Sequence, residues 1–138
     1  MELKWTNWFD LHRLRFEDVP KEPGVYEVRW AVNGVPQTIN RVDGADDSGL
    51  LYIGGSINLR RRIKNFWDRV MGGKAPHTAG HTYKAYNFER KFRPEQLQVR
   101  WALISKEEIQ KAEAHLIEEY VKRFLDKPPL NLSVKRKY

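Results

Sequence analysis

The sequence predicts a small α/β (α+β) fold, a mainly antiparallel sheet with helices packed on it. Runs rich in β-branched and aromatic residues recur at 25–32, 50–54 and 96–104, bounded by Gly, Pro, Asn and Asp. Asn33-Gly34 directly after the first run is a hairpin signal, which favours antiparallel pairing. Elsewhere the apolar period changes from two residues to 3.6, over 58–70 and 106–125. At 138 residues, two cores would each be too small to hold together easily, so 1–138 reads as a single domain.

Residues 5–16 (WTNWFDLHRLRF) read as a short helix or an irregular, aromatic-rich lead-in, and residues 1–20 as a whole precede the body of the fold. DVPKEPG then forces a turn. VYEVRWAV is the first strand, and VPQTINRV is its expected return, with Pro36 tolerable only on an edge. DGADDSG is a polar loop before the short buried strand LLYIG. Leu59, Ile63, Phe66 and Val70 follow helical spacing, with Ser56 or Asn58 as the cap and Gly72-Gly73 as the stop. KAPHTAGHTYKAY reads as a loop, and QLQVRWALI as another strand. Ser105 and Glu108 have capping-box spacing and open a helix that Lys127-Pro128-Pro129 stops. Residues 133–138 read as a frayed basic tail.

Lys and Arg number 25 against 18 Asp and Glu, and the excess sits at 60–64, 84–93 and 135–137. Such a balance favours a polyanion, most often nucleic acid, over a role in solubility alone. No run is long enough to span a membrane, and the N-terminus has no apolar region of a signal peptide, so an intracellular, cytoplasmic location is expected. The absence of cysteine excludes disulfides and thiolate metal sites. Neither a G-x-G-x-x-G nor a Walker sequence is present.

The last helix holds an anomaly. On a wheel, Ile109, Ala112, Leu116, Ile117, Tyr120 and Phe124 fall within about 140°, and Glu113 lies near the middle of that stripe. An unpaired carboxylate on an apolar face is unfavourable by several kcal/mol, roughly, so Glu113 requires either an arginine partner or a functional charge such as a metal ion. The opening of the preceding helix is a second candidate: Gly54, Gly55 and Ser56 between a strand and a helix start form a place to hold a phosphate.

In chain order, Pro23-Gly24-Val25-Tyr26, Leu51-Tyr52-Ile53-Gly54, Ser56-x-Asn58-Leu59-x-x-Arg62, Glu113-Ala114-His115-Leu116-Ile117 and Pro129-Leu130-Asn131 closely resemble the motifs of the GIY-YIG nuclease superfamily. The resemblance runs from about residue 20 to about residue 132. It implies a central three-stranded antiparallel sheet flanked by helices, and a metal-dependent endonuclease acting on DNA in repair, restriction or recombination. Tyr26, Tyr52, Arg62, Glu113 and Asn131 match the catalytic positions, with Glu113 as ligand to one Mg²⁺ or Mn²⁺ ion. The interval from Glu113 to Asn131 is longer than the pattern leads one to expect. These residue types suit phosphodiester hydrolysis, in which a carboxylate binds a hard cation, a guanidinium neutralises non-bridging oxygens and a phenol orients water. Each has an ordinary structural reading as well: strand tyrosines pack in cores, and Arg62 lies at the border of its helix's apolar stripe.

Four residues after the arginine, many members of that superfamily carry a histidine or tyrosine able to move a proton, whereas this chain has Phe66. Either another group supplies the function, with His77, His81 and Tyr83 nearest in sequence, or the chain is a non-catalytic nucleic-acid-binding domain on the same scaffold. Arg60, Arg61, Lys64 and Lys74, with Gly54, Ser56, His77 and His81, are the expected DNA contacts. Nothing in these residues reads as an additional recognition module, so specificity would come from this domain, a homodimer or a partner protein.

Overall fold

A computed structural model describes residues 2–132, so the expected basic tail at 133–138 lies outside the described residues. The fold is α+β, with a five-stranded antiparallel sheet, a separate two-stranded ladder and three α-helices. In chain order the elements are β1 (Phe9–Asp10), β2 (Gly24–Val32), β3 (Val35–Pro36), β4 (Ile39–Asn40), β5 (Ala45–Asp46), β6 (Leu50–Ser56), α1 (Leu59–Val70), α2 (Thr78–Ala85), β7 (Leu97–Leu103) and α3 (Ile109–Phe124).

β2 is the centre of the sheet. It pairs antiparallel with β6 on one side and β7 on the other, and β1 pairs with the far edge of β7. Asn33 and Gly34 both adopt positive φ, as a tight hairpin turn demands, and return the chain as β3. The three long strands are those expected, but the sheet is wider than three strands because β1 and β3 add two-residue edges. β1 is added by a long-range pairing, which residue periodicity does not encode, whereas β3 is the hairpin return that Asn33-Gly34 announces. The return strand is also shorter than expected: only Val35–Pro36 pairs with β2, and Ile39–Asn40 leaves to pair with Ala45–Asp46. The lead-in is irregular, a two-residue strand and two 3₁₀ turns.

The sheet is covered on both faces. Tyr26, Val28, Val99 and Trp101 meet Leu59, Ile63, Phe66 and Val70 of α1 and Ala79 and Tyr83 of α2. A bulge between Val28 and Arg29 lets consecutive Leu51 and Tyr52 both contribute to this core. On the other face α3 packs Tyr120 and Phe124 on Leu50 and Ile53, and Ala112 on Val25 and Ala102. The lead-in covers the rest. Arg100 donates two hydrogen bonds to buried Glu27, and Trp5 and Trp8 lie 4.3 and 4.7 Å from its guanidinium. Burial raises the Glu27 pKa and the Arg100 charge opposes that shift, the usual balance of a buried ion pair.

Gly24 explains one motif glycine by packing. A Cβ there would stand 2.7 Å from Leu59 Cδ1 and collide with the Ala102 carbonyl, so β2, β7 and α1 converge on its bare Cα. Gly24→Ala is expected to lower the unfolding free energy by about 2–3 kcal/mol in a urea titration, through overpacking.

Candidate active site

Strand register brings the two motif tyrosines together. Tyr26 stands opposite Gly54 and Val28 opposite Tyr52, so the two phenols share one face as diagonal neighbours. Their ring centroids are 5.8 Å apart. Gly54 makes this possible: an added Cβ would lie 2.7 Å from ring carbons of both tyrosines.

The β6–α1 turn then presents Arg62. Asn58 caps α1 by accepting the Arg61 N–H, while the Ser56 hydroxyl bonds the Asn58 backbone and is spent on the turn. The Arg62 guanidinium donates to the Pro76 carbonyl at 3.1 Å, which ties the arginine to the segment that precedes His77. One turn beyond Arg62, buried Phe66 lies parallel to the Tyr52 ring at 6.4 Å.

The segment expected as a loop is helix α2, and His77 is its N-cap. His77 Nδ1 accepts the Gly80 N–H at 3.1 Å. Its Nε2 lies 2.7 Å from the Tyr26 hydroxyl oxygen, and its ring meets Tyr52 and Phe66 edge-on at 5.6 and 5.1 Å. A histidine therefore reaches the tyrosine pair from a different element than position 66. Burial, reinforced by Arg62 and Arg69, drives its pKa down to about 2. With the ring neutral and Nδ1 accepting, the proton resides on Nε2, so His77 donates to Tyr26. His81 separates from it, exposed on the outer flank of α2 against Arg69.

Glu113 approaches from α3 on the opposite sheet face. It is 8% exposed, and one carboxylate oxygen, Oε1, is buried with no hydrogen-bond partner. No salt bridge to arginine forms there among the described residues, so the structural pairing weighed from sequence is not what holds this charge. Burial raises the Glu113 pKa to about 7, against the opposing pull of Arg62. A Cβ on Gly55 would lie 3.7 Å from Oε1 and 2.6 Å from Ile109 Cγ2, so the carboxylate stands over Gly55 as the phenols stand over Gly54. Its charge is felt across the sheet. Burial first, then Tyr52 and Glu113, raise the Tyr26 pKa well above its ordinary value, and burial and Glu113 raise that of Tyr52, with Arg62 opposing both.

Asn131 acts on the strand itself. Its amide accepts the Ile53 N–H and donates to the Ile53 carbonyl, both at 2.9 Å. With Leu130 N–H on the Leu51 carbonyl, the C-terminal segment satisfies the free edge of β6. Arg60 is likewise engaged structurally, donating to the carbonyls of Val19 and Glu17, so it anchors the lead-in and has less to offer a phosphate. Arg61, Lys64 and Lys74 are exposed. Phe66 as the floor beneath Tyr52 and the Gly80 N–H that fixes the His77 tautomer were not singled out from sequence. The spacing of His77 and Gly80, three residues apart as a cap requires, is the signal that could have found them.

Among the described residues no three His, Cys, Asp or Glu side chains come together to hold a metal, and no helix is long and apolar enough to cross a membrane. No family model, curated protein or solved structure matches this chain.

The raised Glu113 pKa carries a stability signature. Its folded value exceeds the unfolded one, so the protein bears no penalty below about pH 4.5 and loses stability as pH rises toward about 7. Glu113→Gln removes that titration. The variant is expected to match wild type at pH 4 and to exceed it by about 3 kcal/mol at pH 8 in metal-free urea melts.

Proposed function

We propose that this protein is a metal-dependent endonuclease of the GIY-YIG type, hydrolysing DNA phosphodiester bonds on a GIY-YIG-like scaffold. The observation that carries the reading is the convergence of two phenols and an unpaired carboxylate on the Gly54–Gly55 dipeptide, with the His77 imidazole on the Tyr26 hydroxyl and the Arg62 guanidinium on Tyr52. Buried polar atoms in native structures are nearly all hydrogen-bonded, so a carboxylate oxygen without a partner supports a ligand at that position.

The unpartnered Oε1 of Glu113 fits a divalent cation, and Mg²⁺ or Mn²⁺ suits a single carboxylate completed by water and phosphate oxygens. When bound, such an ion supplies charge neutralisation at the phosphoryl oxygens and lowers the pKa of nearby acids. The remaining roles belong to the chain. Tyr26 stays a neutral phenol, its pKa raised by burial, and orients the attacking water. As the water oxygen bonds phosphorus the phosphorus–ester oxygen bond breaks, the water's proton passes to solvent and the leaving oxygen takes a proton from solvent. His77 fixes the Tyr26 hydroxyl by donating its Nε2–H to the phenol oxygen. Arg62 neutralises the non-bridging oxygens in the transition state, and Tyr52, stacked on Phe66, holds the position of the Tyr26 ring.

The alternative, a binding domain without turnover, drew its support from Phe66. His77 weakens that support, because an imidazole contacts Tyr26 after all. The test uses purified protein with Mg²⁺ or Mn²⁺ on branched, nicked, single-stranded and duplex DNA. Cleavage is expected, with losses of 100-fold or more for Glu113→Gln, Tyr26→Phe and Arg62→Ala, and of about 100-fold for His77→Ala. No cleavage by wild type on any substrate, or full activity of Glu113→Gln, overturns the proposal.

The pH profile is distinctive. Activity is expected to rise through about pH 7 as Glu113 loses its proton, and the midpoint should move to lower pH as metal concentration increases. No limb near 6.5 is expected from His77, and His77→Gln should leave the midpoint in place.

A further inference from the structure

The charge of this protein is unevenly placed. Residues 59–93, which hold α1 and α2, contain ten Lys or Arg against Asp68 and Glu89, a net of +8. The whole chain is +7, so the remaining residues total −1. Part of this positive charge is used internally, in the Arg62–Pro76 contact, the Arg60 anchor, the Lys84–Glu89 and Arg93–Glu95 pairs, the Arg69–His81 contact and Lys91 over the Trp30 ring, which leaves Arg61, Lys64, Lys74 and Arg90.

The two helices run side by side, away from the tyrosine cluster. His77, at the start of α2, touches Tyr26; Gly80 packs on Arg69 and on the Phe66 carbonyl; the Lys84 stem comes within 3.9 Å of a Cβ on Gly72. At the far end stands Tyr86, 69% exposed, the C-cap of α2 and flanked by exposed Lys84, Arg90 and Lys91. Nine residues at a helical rise of 1.5 Å put it about 13 Å from His77, a reach of a few nucleotides along a strand.

We propose that the α1–α2 arm binds an unpaired nucleic-acid strand leading to the cluster, with Tyr86 as the stacking platform for a base a few nucleotides from the scissile phosphate. This deepens the nuclease reading and rests on it. The charge supplies the phosphate track, which any polyanion would feel. The phenol ring supplies the choice. In a duplex the bases are stacked on one another and offer no free face, whereas an unpaired base can lie on an exposed ring. The favoured substrate class is therefore DNA carrying a single-stranded flank, such as a flap or a branched junction, over a blunt duplex.

Binding is measured by fluorescence anisotropy on the full chain in EDTA, so that it does not depend on cleavage. The probes are a labelled thymidine oligonucleotide of about twelve residues and a blunt duplex of the same length. Wild type is expected to bind the single strand more tightly. Tyr86→Ala should weaken that binding five-fold or more and leave duplex binding unchanged, while Tyr86→Trp retains it. Arg90→Gln should reduce the salt slope on both probes by about one. The ring is exposed, so the urea melts of these variants should overlay wild type. Equal single-strand affinity for Tyr86→Ala, a preference for duplex, or displacement of the oligonucleotide by polyglutamate at equal charge concentration overturns the inference, the last result assigning the arm to an acidic protein. Cleavage with Mg²⁺ is scored separately. Cleavage by both wild type and Tyr86→Ala with unchanged binding sinks the strand surface alone; the expected binding losses without cleavage on any DNA sink the nuclease reading alone.

Discussion

The candidate site depends on two adjacent residues that have no side chains. Elsewhere in the sheet, side chains alternate between the α1–α2 face and the α3 face and keep the two apart. At Gly54 and Gly55 that separation is missing. Phenols lie directly on one glycine and a carboxylate on the next, so groups anchored on opposite faces feel one another's charge. A β-carbon on Gly54 would collide with both phenols, and one on Gly55 would collide with Ile109, one turn before Glu113 on α3. β6 is therefore both a core strand and a thin wall, and Asn131 holds it in place by bonding both backbone groups of Ile53.

A site of this kind works against the fold that holds it. Glu113 is buried, partly unpaired and shifted upward, while His77 is buried, neutral and shifted downward. Lowering the pH relieves the first and strains the second; raising it does the reverse. At both places another residue would strain the fold less: a leucine at 113 would complete the α3 stripe, and a serine at 77 would cap α2 without a buried ring. Ionisable groups at two unfavourable positions, both in the field of Arg62, mark this as the candidate functional site.

The long, strongly periodic elements were legible in the sequence because burial of one face decides them: α1 and α3, the three main strands, and the anomalous place of Glu113 on its wheel. What escaped was set by contacts. α2 is short, contains Gly80 and two threonines, and is capped by a histidine, so neither its period nor its cap residue announced it. The Ser105–Glu108 spacing promised a capping box, but a 3₁₀ turn at Lys106–Glu108 precedes α3 and Ser105 makes no side-chain cap bond. Grouping His77 with His81 followed from their closeness in sequence; one turn of helix separates them into core and surface.

Position 66 shows how a break in a pattern can be reorganisation. A phenylalanine there offers no proton, and taken alone it argues for a silent scaffold. In the fold its ring lies parallel to Tyr52 and edge-on to His77, and so helps to build the pocket that keeps the imidazole dry. A histidine at 66 would add a polar ring to a fully buried position while the Tyr26 hydroxyl already has His77 as a partner. Phenylalanine at 66 and histidine at 77 are thus two halves of one arrangement, in which α1 supplies the wall and α2 supplies the nitrogen. The same helix carries that nitrogen at one end and an exposed ring, Tyr86, at the other.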